Sequence, residues 1–250
     1  MRKIKRYGWI PDIPDQRDFL FAAPPVTLPP KVDLRTGCPD VYDQGQLGSC
    51  TANAINGAIE FAQMKENANA FVPSRLFVYW NERDIEHTVA SDAGAQIRDG
   101  IKVVVKIGAP VETDWPYVIA KFADRPPQKA FVDARKNIVT SYQRVSQNLR
   151  QMQGCLASGF PFVFGFTVYD GFESDQVAQT GIVPMPKPGE SALGGHAVMA
   201  VGYDDSTQRF IVRNSWGAVW GQKGYFEMPY AYLTDSNLSD DLWTIRVVRE

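Results

Sequence analysis

The sequence lacks the patterns that mark several common functional classes. No G-x-G occurs anywhere in its 250 residues, which argues against a dinucleotide-binding fingerprint, and no serine lies in a G-x-S-x-G context, which argues against the usual serine-hydrolase nucleophile. Only two histidines are present, so a His-rich metal site is implausible. We therefore expect neither a metal nor an organic cofactor, and cysteine becomes the candidate for chemistry.

An excess of positive charge is also missing. The chain has 26 Lys and Arg against 28 Asp and Glu, a formal net charge of -2, and its basic residues are dispersed apart from the run Arg2–Arg6, which predicts no nucleic-acid partner. The most apolar run, Phe160–Tyr169, is far too short to span a bilayer, and residues 7–20 carry prolines and charges where a signal peptide would be apolar. The sequence thus predicts a soluble, cytoplasmic protein with no membrane partner, although secretion by a route without an N-terminal signal stays open.

A disulfide framework is absent too. Cys38, Cys50 and Cys155 are widely and irregularly spaced and form no C-x-x-C motif. Such cysteine usage suits a reducing compartment. Cys38 and Cys155 could pair, stay free or pack in the interior, and the sequence leaves these alternatives open.

The chain divides into an N-terminal arm, residues 1–30, and one domain, residues 31–250. The arm is rich in proline and aromatic residues without helical or strand periodicity, which predicts an extended segment. In the first half of the domain, helical spacing begins at Ser49 and recurs in three stretches: Ser74–Ile85, Ala95–Ile107 and Asn148–Ser158. The second half carries short β-branched or aromatic runs: Phe162–Tyr169, Ala197–Tyr203, Phe210–Arg213, Gly224–Met228 and Leu242–Val248. A helical half followed by a strand-rich half predicts an α+β fold with a cleft between the halves.

Cys50 falls in the first turn of the first predicted helix, with Ser49 as the N-cap. The positive end of the helix dipole favours a thiolate there and so lowers the pKa of the thiol. Gln44 lies six residues earlier on a glycine-rich approach, from which its amide can reach back beside the Cys50 backbone N–H. Two such donors beside a thiol outline an oxyanion hole. For a lone cysteine, an inert buried thiol is the alternative interpretation.

Two histidines are available as the acid/base partner. His87 lies in a charged stretch and is predicted at the surface, whereas His196 follows Gly195 and opens an apolar run that predicts the edge of a buried strand. Asn214 ends the next predicted strand, so antiparallel pairing would bring its amide beside His196 and orient the ring. Trp216 could shield that hydrogen bond from water. A histidine satisfied within the core is the alternative interpretation.

Taken in order, these residues resemble the papain family of cysteine peptidases. The resemblance is carried by Gln44, Cys50, Gly195-His196-Ala197-Val198, Asn214-Ser215-Trp216-Gly217, Trp220-Gly221 and Gly224-Tyr225. In addition, Val32–Arg35 resembles the start of a mature domain of this family, and Asp114–Tyr117 resembles its Tyr-Pro-Tyr element. The similarity extends from about residue 31 to residue 228.

The resemblance implies a helical left subdomain and an antiparallel, barrel-like β right subdomain, with peptide or protein substrate in the cleft between them. It implies that Cys50 is the nucleophile and His196 the base and then the acid. Asn214 would orient the histidine, and Gln44 would be the oxyanion donor. The substrate-binding residues that it implies are Gly94, Ala95, Gln96, Gly195 and Trp216. The expected function is hydrolysis of peptide bonds through a Cys-His-Asn triad and a thioester acyl-enzyme.

The chain departs from the family's pattern in three places. Thr51 replaces the aromatic residue that usually follows the nucleophile. The family pattern therefore does not define the part of the site that would contact the leaving group. Asp92 stands about where a half-cystine would be, and about 30 residues precede the domain in place of a long propeptide. The aromatic side chains of this arm need a surface, so the arm is predicted either to dock in the cleft and inhibit, or to pack on the outside of the domain.

Two other functions are compatible with the same residues. An acyltransferase would use the triad but pass the acyl group to an amine instead of water. A peptide-binding module would have the same cleft, occluded and without turnover.

Overall fold

The computed structural model of the chain describes residues 7–66 and 70–246. Residues 1–6, which belong to the predicted arm, and residues 247–250, which include the end of the last predicted strand, lie outside the described residues. Within the described ranges, helices and a mainly antiparallel sheet occur together, which confirms the predicted α+β class.

All four predicted helices are present, with small shifts at their ends. The helices are α1 (Cys50–Lys65), α2 (Arg75–Ile85), α3 (Ile97–Lys106), α4 (Gln128–Ala134), α5 (Leu149–Ala157), α6 (Asp175–Thr180) and α7 (Tyr230–Thr234). The sequence missed α4, α6 and α7 because five to seven residues carry too little periodicity to be recognised. Ser74 and Asn148 accept hydrogen bonds from the first N–H groups of α2 and α5 and so fix where these helices begin. No helix within residues 7–66 and 70–246 is long and apolar enough to cross a membrane.

The strands form one large sheet and a separate two-stranded ladder. They are β1 (Trp9–Ile10), β2 (Lys31–Asp33), β3 (Ala95–Gln96), β4 (Ser141–Arg144), β5 (Phe162–Tyr169), β6 (Ala192–Asp204), β7 (Arg209–Arg213), β8 (Tyr225–Pro229) and β9 (Ser239–Arg246). The large sheet has the order β4-β9-β5-β6-β7-β8, with β2 also paired to β6, and its neighbouring strands are antiparallel. The ladder joins β1 of the arm to β3 in parallel.

Strand β6 is buried on both faces, which explains why its sequence is almost continuously apolar. Ala197, Met199 and Val201 belong to a core shared with α1, α2 and α3. Val198 and Ala200, which alternate with them, belong to a second core on the opposite face, together with the phenylalanines of β5. Helix α1 packs on β6, and its first residue, Cys50, accepts a hydrogen bond from the Ala197 N–H of this strand.

The backbone of the arm pairs with strands of the domain in two separate stretches. Residues 9–10 pair with β3, and residues 19–21 run along β4. In the second stretch the N–H of Phe21 donates to the Arg144 carbonyl, and the Arg144 N–H donates to the Phe19 carbonyl, each at 2.8 Å. Phe21 is buried, whereas Phe19 is exposed. The described part of the arm therefore lies both on the outside of the domain and along β3.

All three cysteines are free. Burial raises the pKa of Cys38 to about 11 and that of Cys155 to about 12, so both thiols stay protonated at neutral pH. Each is packed in or beside a core. Of the three alternatives left open by the sequence, packing as free thiols is the one observed.

Candidate active site

Cys50 is the first residue of α1, and its side chain is fully buried. Ser49 holds the N-cap position, although its side chain makes no capping hydrogen bond. The backbone N–H groups of Ala197, Gly8 and Thr51 face the thiol, and each stabilises its thiolate form. The sulfur is therefore enclosed by α1, by β6 and by the arm.

Burial dominates the ionisation of this thiol. It raises the pKa of Cys50 to about 12, against the lowering effect of the three N–H groups. The sequence predicted a lowered pKa from the helix dipole, which differs from what the structure indicates. The reason is that the arm and the domain together exclude the water that would solvate a thiolate. Exposure of the sulfur to water would remove this penalty.

His196 and Asn214 meet because β6 pairs with β7. The two strands are antiparallel with Met199 opposite Arg213, so Asn214, one residue beyond β7, lies near the His196 end of β6. His196 Nε2 is 2.9 Å from Asn214 Oδ1, and both side chains are buried. The indole of Trp216 stacks on the imidazole with ring centroids 5.0 Å apart. This ring covers the histidine and limits the access of water to it.

Gln44 is held by a set of hydrogen bonds. Its backbone N–H donates to the Ser215 carbonyl at 2.9 Å, and its Oε1 accepts from Ser215 Oγ at 2.5 Å. Its Nε2 donates to the Leu47 carbonyl at 2.9 Å. Because an amide nitrogen carries two protons, Nε2 has a second N–H that can serve an oxyanion. Ser215 directly follows Asn214, so one short segment positions both the amide and the histidine.

The residues predicted to bind substrate lie on the two sides of the arm segment that covers the thiol. One side is the loop that ends in β3, with Gly94, Ala95 and Gln96, and the other side lies beside the histidine, with Gly195 and Trp216. The arm contacts both sides. Ala95 donates its N–H to the Gly8 carbonyl at 2.7 Å, and a Cβ on Gly195 would lie 2.5 Å from the Trp9 carbonyl oxygen.

Tyr7 and Gly8 of the arm lie over the imidazole and the thiol. The Tyr7 ring packs edge-on against His196 with ring centroids 6.1 Å apart. Gly8 presents its N–H to Cys50, while its carbonyl is bonded to β3. A side chain has no room at this position, since a Cβ on Gly8 would lie 1.7 Å from the Gly48 carbonyl oxygen.

Trp9 fills a pocket next to the thiol. A Cβ on Gly165 would lie 1.9 Å from the Trp9 ring, so the close fit depends on glycine in β5. The indole Nε1 donates to Asp241 Oδ2 at 3.1 Å. Asp241 is buried and has a φ of 60°, a left-handed conformation that is strained for a residue other than glycine. Trp9 is thus packed against glycines of β5 and β6 and hydrogen-bonded to one buried carboxyl group.

Thr51 points into the interior. It is fully buried, and its Oγ1 donates to Glu82 Oε2 of α2 at 2.8 Å. Glu82 is also fully buried, and burial raises its pKa well above the ordinary value. The departure from the family pattern at Thr51 is therefore accommodated by packing between α1 and α2.

The sequence did not point to the contacts that Ser215 and Asp241 make. Ser215 lies inside the run that carries the family resemblance, but its bond to Gln44 spans 171 positions of the chain. Asp241 belongs to no local motif, and its bond to Trp9 spans 232 positions. A sequence signal existed only for Ser215, through its place next to Asn214.

His87, the second histidine of the chain, is exposed, as predicted. Among residues 7–66 and 70–246, no group of three or more His, Cys, Asp or Glu side chains is placed to hold a metal ion.

The chain is similar to known proteins in both sequence and structure. The model of the papain family cysteine proteases matches residues 28–241 of the chain. An uncharacterized peptidase C1-like protein of Acanthamoeba polyphaga mimivirus is 43% identical over an alignment of 274 positions, gaps included, which covers 98% of this chain and 88% of that protein. A cathepsin B-like protein of Giardia intestinalis is 27% identical over 208 residues, which cover 76% of this chain and 64% of that protein.

Two solved structures illustrate the structural similarity. Xylellain, a cysteine protease from Xylella fastidiosa, superposes with a TM-score of 0.93 at 44% identity, over 100% of this chain and 98% of that one. The digestive procathepsin L 3 of Tenebrio molitor superposes with a TM-score of 0.72 at 18% identity, over 92% of this chain and 74% of that one, a likeness that concerns the fold alone.

Proposed function

Because the chain belongs to the papain family of cysteine proteases, we propose that it hydrolyses peptide bonds with Cys50 as nucleophile and His196 as acid and base. Asn214 orients the histidine, and Gln44 supplies an oxyanion donor. The observation that carries this proposal is the 2.9 Å contact between His196 Nε2 and Asn214 Oδ1. His196 lies on β6, and the next residue of this strand, Ala197, donates its N–H to the Cys50 sulfur.

The proposed reaction uses only side chains and backbone groups of the cleft. Asn214 engages Nε2 of His196, which leaves Nδ1 to exchange a proton with Cys50 Sγ. The thiolate attacks the peptide carbonyl carbon, and the negative oxygen is stabilised by the second N–H of Gln44 and the backbone N–H of Cys50. His196 then protonates the leaving amine, and a water deprotonated by the neutral imidazole hydrolyses the thioester.

A thiol-directed peptidyl epoxide tests the proposal in one experiment. Mass spectrometry of the treated full-length protein is expected to locate the added mass on Cys50. Label confined to Cys38 or Cys155 would contradict the assignment of the nucleophile. Hydrolysis and acyl transfer proceed through the same thioester and differ in whether water or an amine takes the acyl group. Analysis of the products formed with added amino acids therefore separates peptidase from acyltransferase activity.

Gln44→Ala is expected to lower kcat by about 10²-fold and to leave KM nearly unchanged. An oxyanion donor acts mainly in the transition state, where the negative charge on the substrate oxygen develops. The measurement is steady-state hydrolysis of a fluorogenic peptide, with kcat expressed per mole of thiol that the epoxide titrates. Gln46→Ala, an exposed glutamine of the same loop, is the matched control. An unchanged kcat in Gln44→Ala would assign Gln44 a structural role.

We further propose that the arm inhibits the enzyme. A substrate must present a carbonyl carbon to the sulfur, whereas Gly8 presents an N–H, which a thiolate cannot attack. Trp9 at the same time occupies the pocket beside the thiol, and its strand pairs with the edge of β3. Substrate would use this same edge and the same pocket, so substrate and arm exclude each other.

Two buried carboxyl groups meet where the arm docks. Asp12 of the arm donates its backbone N–H to Asp241 Oδ2 at 2.7 Å, and both side chains are buried. The pKa of Asp241 is raised to about 7, mainly by burial and next by the negative charge of the neighbouring Asp12, whereas the positive charge of Arg144 lowers it. Burial also raises the pKa of Asp12. The other charged groups that face this pair are Asp18, Glu86, Arg98 and Asp240.

Raising the pH from about 5 to about 7 is therefore expected to weaken docking of the arm. In the docked form Asp241 holds a proton up to about pH 7. After release, water returns and Asp12 withdraws, so the pKa of Asp241 falls toward about 4. Docking then takes up a proton at Asp241 between about pH 4 and 7, so this group alone weakens docking by up to about tenfold for each pH unit upward in that window.

The measurement is the ratio of Cys50 labelling rates in the full-length chain and in a chain without residues 1–28. This ratio cancels the intrinsic reactivity of the released thiol, and it should rise with pH over the stated window. Asp241→Asn removes the contribution of this carboxyl group and should make the dependence shallower, and the part that remains includes Cys50, whose pKa docking also raises. A ratio that is constant from pH 5 to 7 in the unaltered chain would contradict the prediction.

A further inference from the structure

The carboxylate of Asp92 binds the loop that carries the proposed oxyanion donor. Asp92 lies between α2 and β3, and its Oδ1 and Oδ2 accept from the Gly48 N–H at 3.0 and 3.1 Å. Its Oδ1 also accepts from the Tyr79 hydroxyl at 2.5 Å. Gly48 lies two residues before Cys50 and is buried. A residue distant in sequence therefore holds the backbone just before the nucleophile.

The peptide group between Leu47 and Gly48 is engaged at both of its polar ends. Its N–H donates to Asp92, and its carbonyl, that of Leu47, accepts from Gln44 Nε2 at 2.9 Å. The N–H and the carbonyl of one trans peptide point in opposite directions in the same plane. The orientation that Asp92 imposes on the N–H therefore also sets the direction from which the carbonyl accepts the Gln44 amide.

The charge on Asp92 makes this arrangement stronger than a neutral contact would be. A hydrogen bond to an ionised acceptor is roughly twice as strong as one between neutral groups. It also polarises the peptide group, so that the carbonyl at the far end becomes a better acceptor. Both effects hold the Gln44 amide in one orientation, with its second N–H directed away from Leu47.

We propose that Asp92 is a positioning residue for the oxyanion hole, which acts on Gln44 through the Leu47–Gly48 peptide group. It does not touch the substrate. The inference rests on the proposed role of Gln44 as oxyanion donor. In this chain, which has no disulfide, the carboxylate clamps the loop by hydrogen bonds.

A second contact of Asp92 points toward the substrate loop and makes a different prediction. Tyr79, whose hydroxyl donates to Asp92, accepts from the Gly94 N–H at 3.2 Å. If Asp92 mattered only through this branch, its loss would disturb substrate binding and raise KM. If it acts through Gln44, its loss lowers kcat and leaves KM nearly unchanged. Tyr79→Phe removes the hydroxyl but leaves the bonds from Gly48, so it isolates the branch to Gly94.

The test is a double-mutant cycle between Asp92 and Gln44 in the full-length chain, with kcat expressed per mole of thiol titrated by a peptidyl epoxide. Asp92→Ala is expected to lower kcat about tenfold with KM changed less than about twofold, and Asp92→Asn, which keeps a neutral acceptor, to lower it about threefold. In the Gln44→Ala background, Asp92→Ala should have almost no further effect, since the amide that it positions is absent. Asp84→Ala, an exposed carboxylate of α2, is the matched control and should leave both constants unchanged.

Each outcome of the cycle separates the two proposals. Multiplicative effects of Asp92→Ala and Gln44→Ala, or a rise in KM with kcat unchanged, overturn the role of Asp92 while the role of Gln44 stands. A Gln44→Ala variant with the kcat of the unaltered chain overturns the oxyanion assignment and the inference with it. Should Asp92→Ala fail to fold, the nearly isosteric Asp92→Asn is compared in the same cycle.

Discussion

Cys50→Ala is expected to leave a folded protein that hydrolyses peptides at no measurable rate. In the proposed mechanism the Cys50 sulfur forms the bond to the acyl group, so its removal should lower kcat by about 10⁴-fold or more. The fold should survive because alanine suits the first position of α1, and the loss of one sulfur atom leaves only a small cavity. The measurements are hydrolysis of a fluorogenic peptide by the full-length chain and thermal unfolding followed by circular dichroism.

Cys155→Ala is the matched control for this experiment. Cys155 is also a free, fully buried thiol in a helix, so its substitution creates a similar cavity. The Cys155 thiol donates a hydrogen bond to the Phe160 carbonyl oxygen at 3.5 Å, and this contact lies away from the cleft. Cys155→Ala should therefore retain activity. Peptide hydrolysis retained by Cys50→Ala would contradict the assignment of the nucleophile.

Gly8→Ala is expected to displace the arm and to raise both peptide hydrolysis and the rate of Cys50 labelling. The added Cβ would lie 1.7 Å from the Gly48 carbonyl oxygen, and that backbone cannot move without disturbing the loop that precedes Cys50. Overpacking of this kind costs about 1–3 kcal/mol, which shifts the docking equilibrium by roughly 5- to 150-fold. Release of the arm also returns water to the thiol, so the pKa of Cys50 falls below about 12.

The measurement is the rate of epoxide labelling of Cys50, followed by mass spectrometry. Ile13→Ala is the control, because Ile13 belongs to the arm but is 73% exposed, so that truncation of its side chain should not affect docking. A chain without residues 1–28 gives the upper limit of the labelling rate, provided that its circular dichroism shows the fold. Equal rates in the unaltered, Gly8→Ala and truncated chains would exclude autoinhibition and leave the arm as a packing element.

Much of the fold could be predicted because local patterns agree with the final structure. The apolar spacing after Ser49 predicts α1, and the run that opens at His196 predicts the buried part of β6. Both patterns are strong because each element packs on the other and must present apolar residues in the matching period. The end of α3 nearest the cleft was predicted wrongly, since Ala95 and Gln96 pair with the arm and form β3 before the helix begins.

The proposed catalytic residues could also be named from the sequence. Cys50, His196 and Asn214 each lie within a recognisable run, so their types and order were enough to suggest them. Their roles stay predictions until the substitutions are measured. Asp92 carried a weaker signal, as a departure from the family pattern, and its bond to Gly48 could not be foreseen from that position.

The sequence by itself determined the fold class, the family and the candidate nucleophile, because these depend on residue type and on spacing within short segments. Only the tertiary structure decided which groups face the thiol, whether water reaches it, and what the arm covers. The helix start at Cys50 favours a thiolate, yet burial under Gly8 raises the pKa of Cys50 to about 12. Burial depends on contacts between segments far apart in the chain, such as Trp9 with Asp241, and no local pattern encodes those contacts.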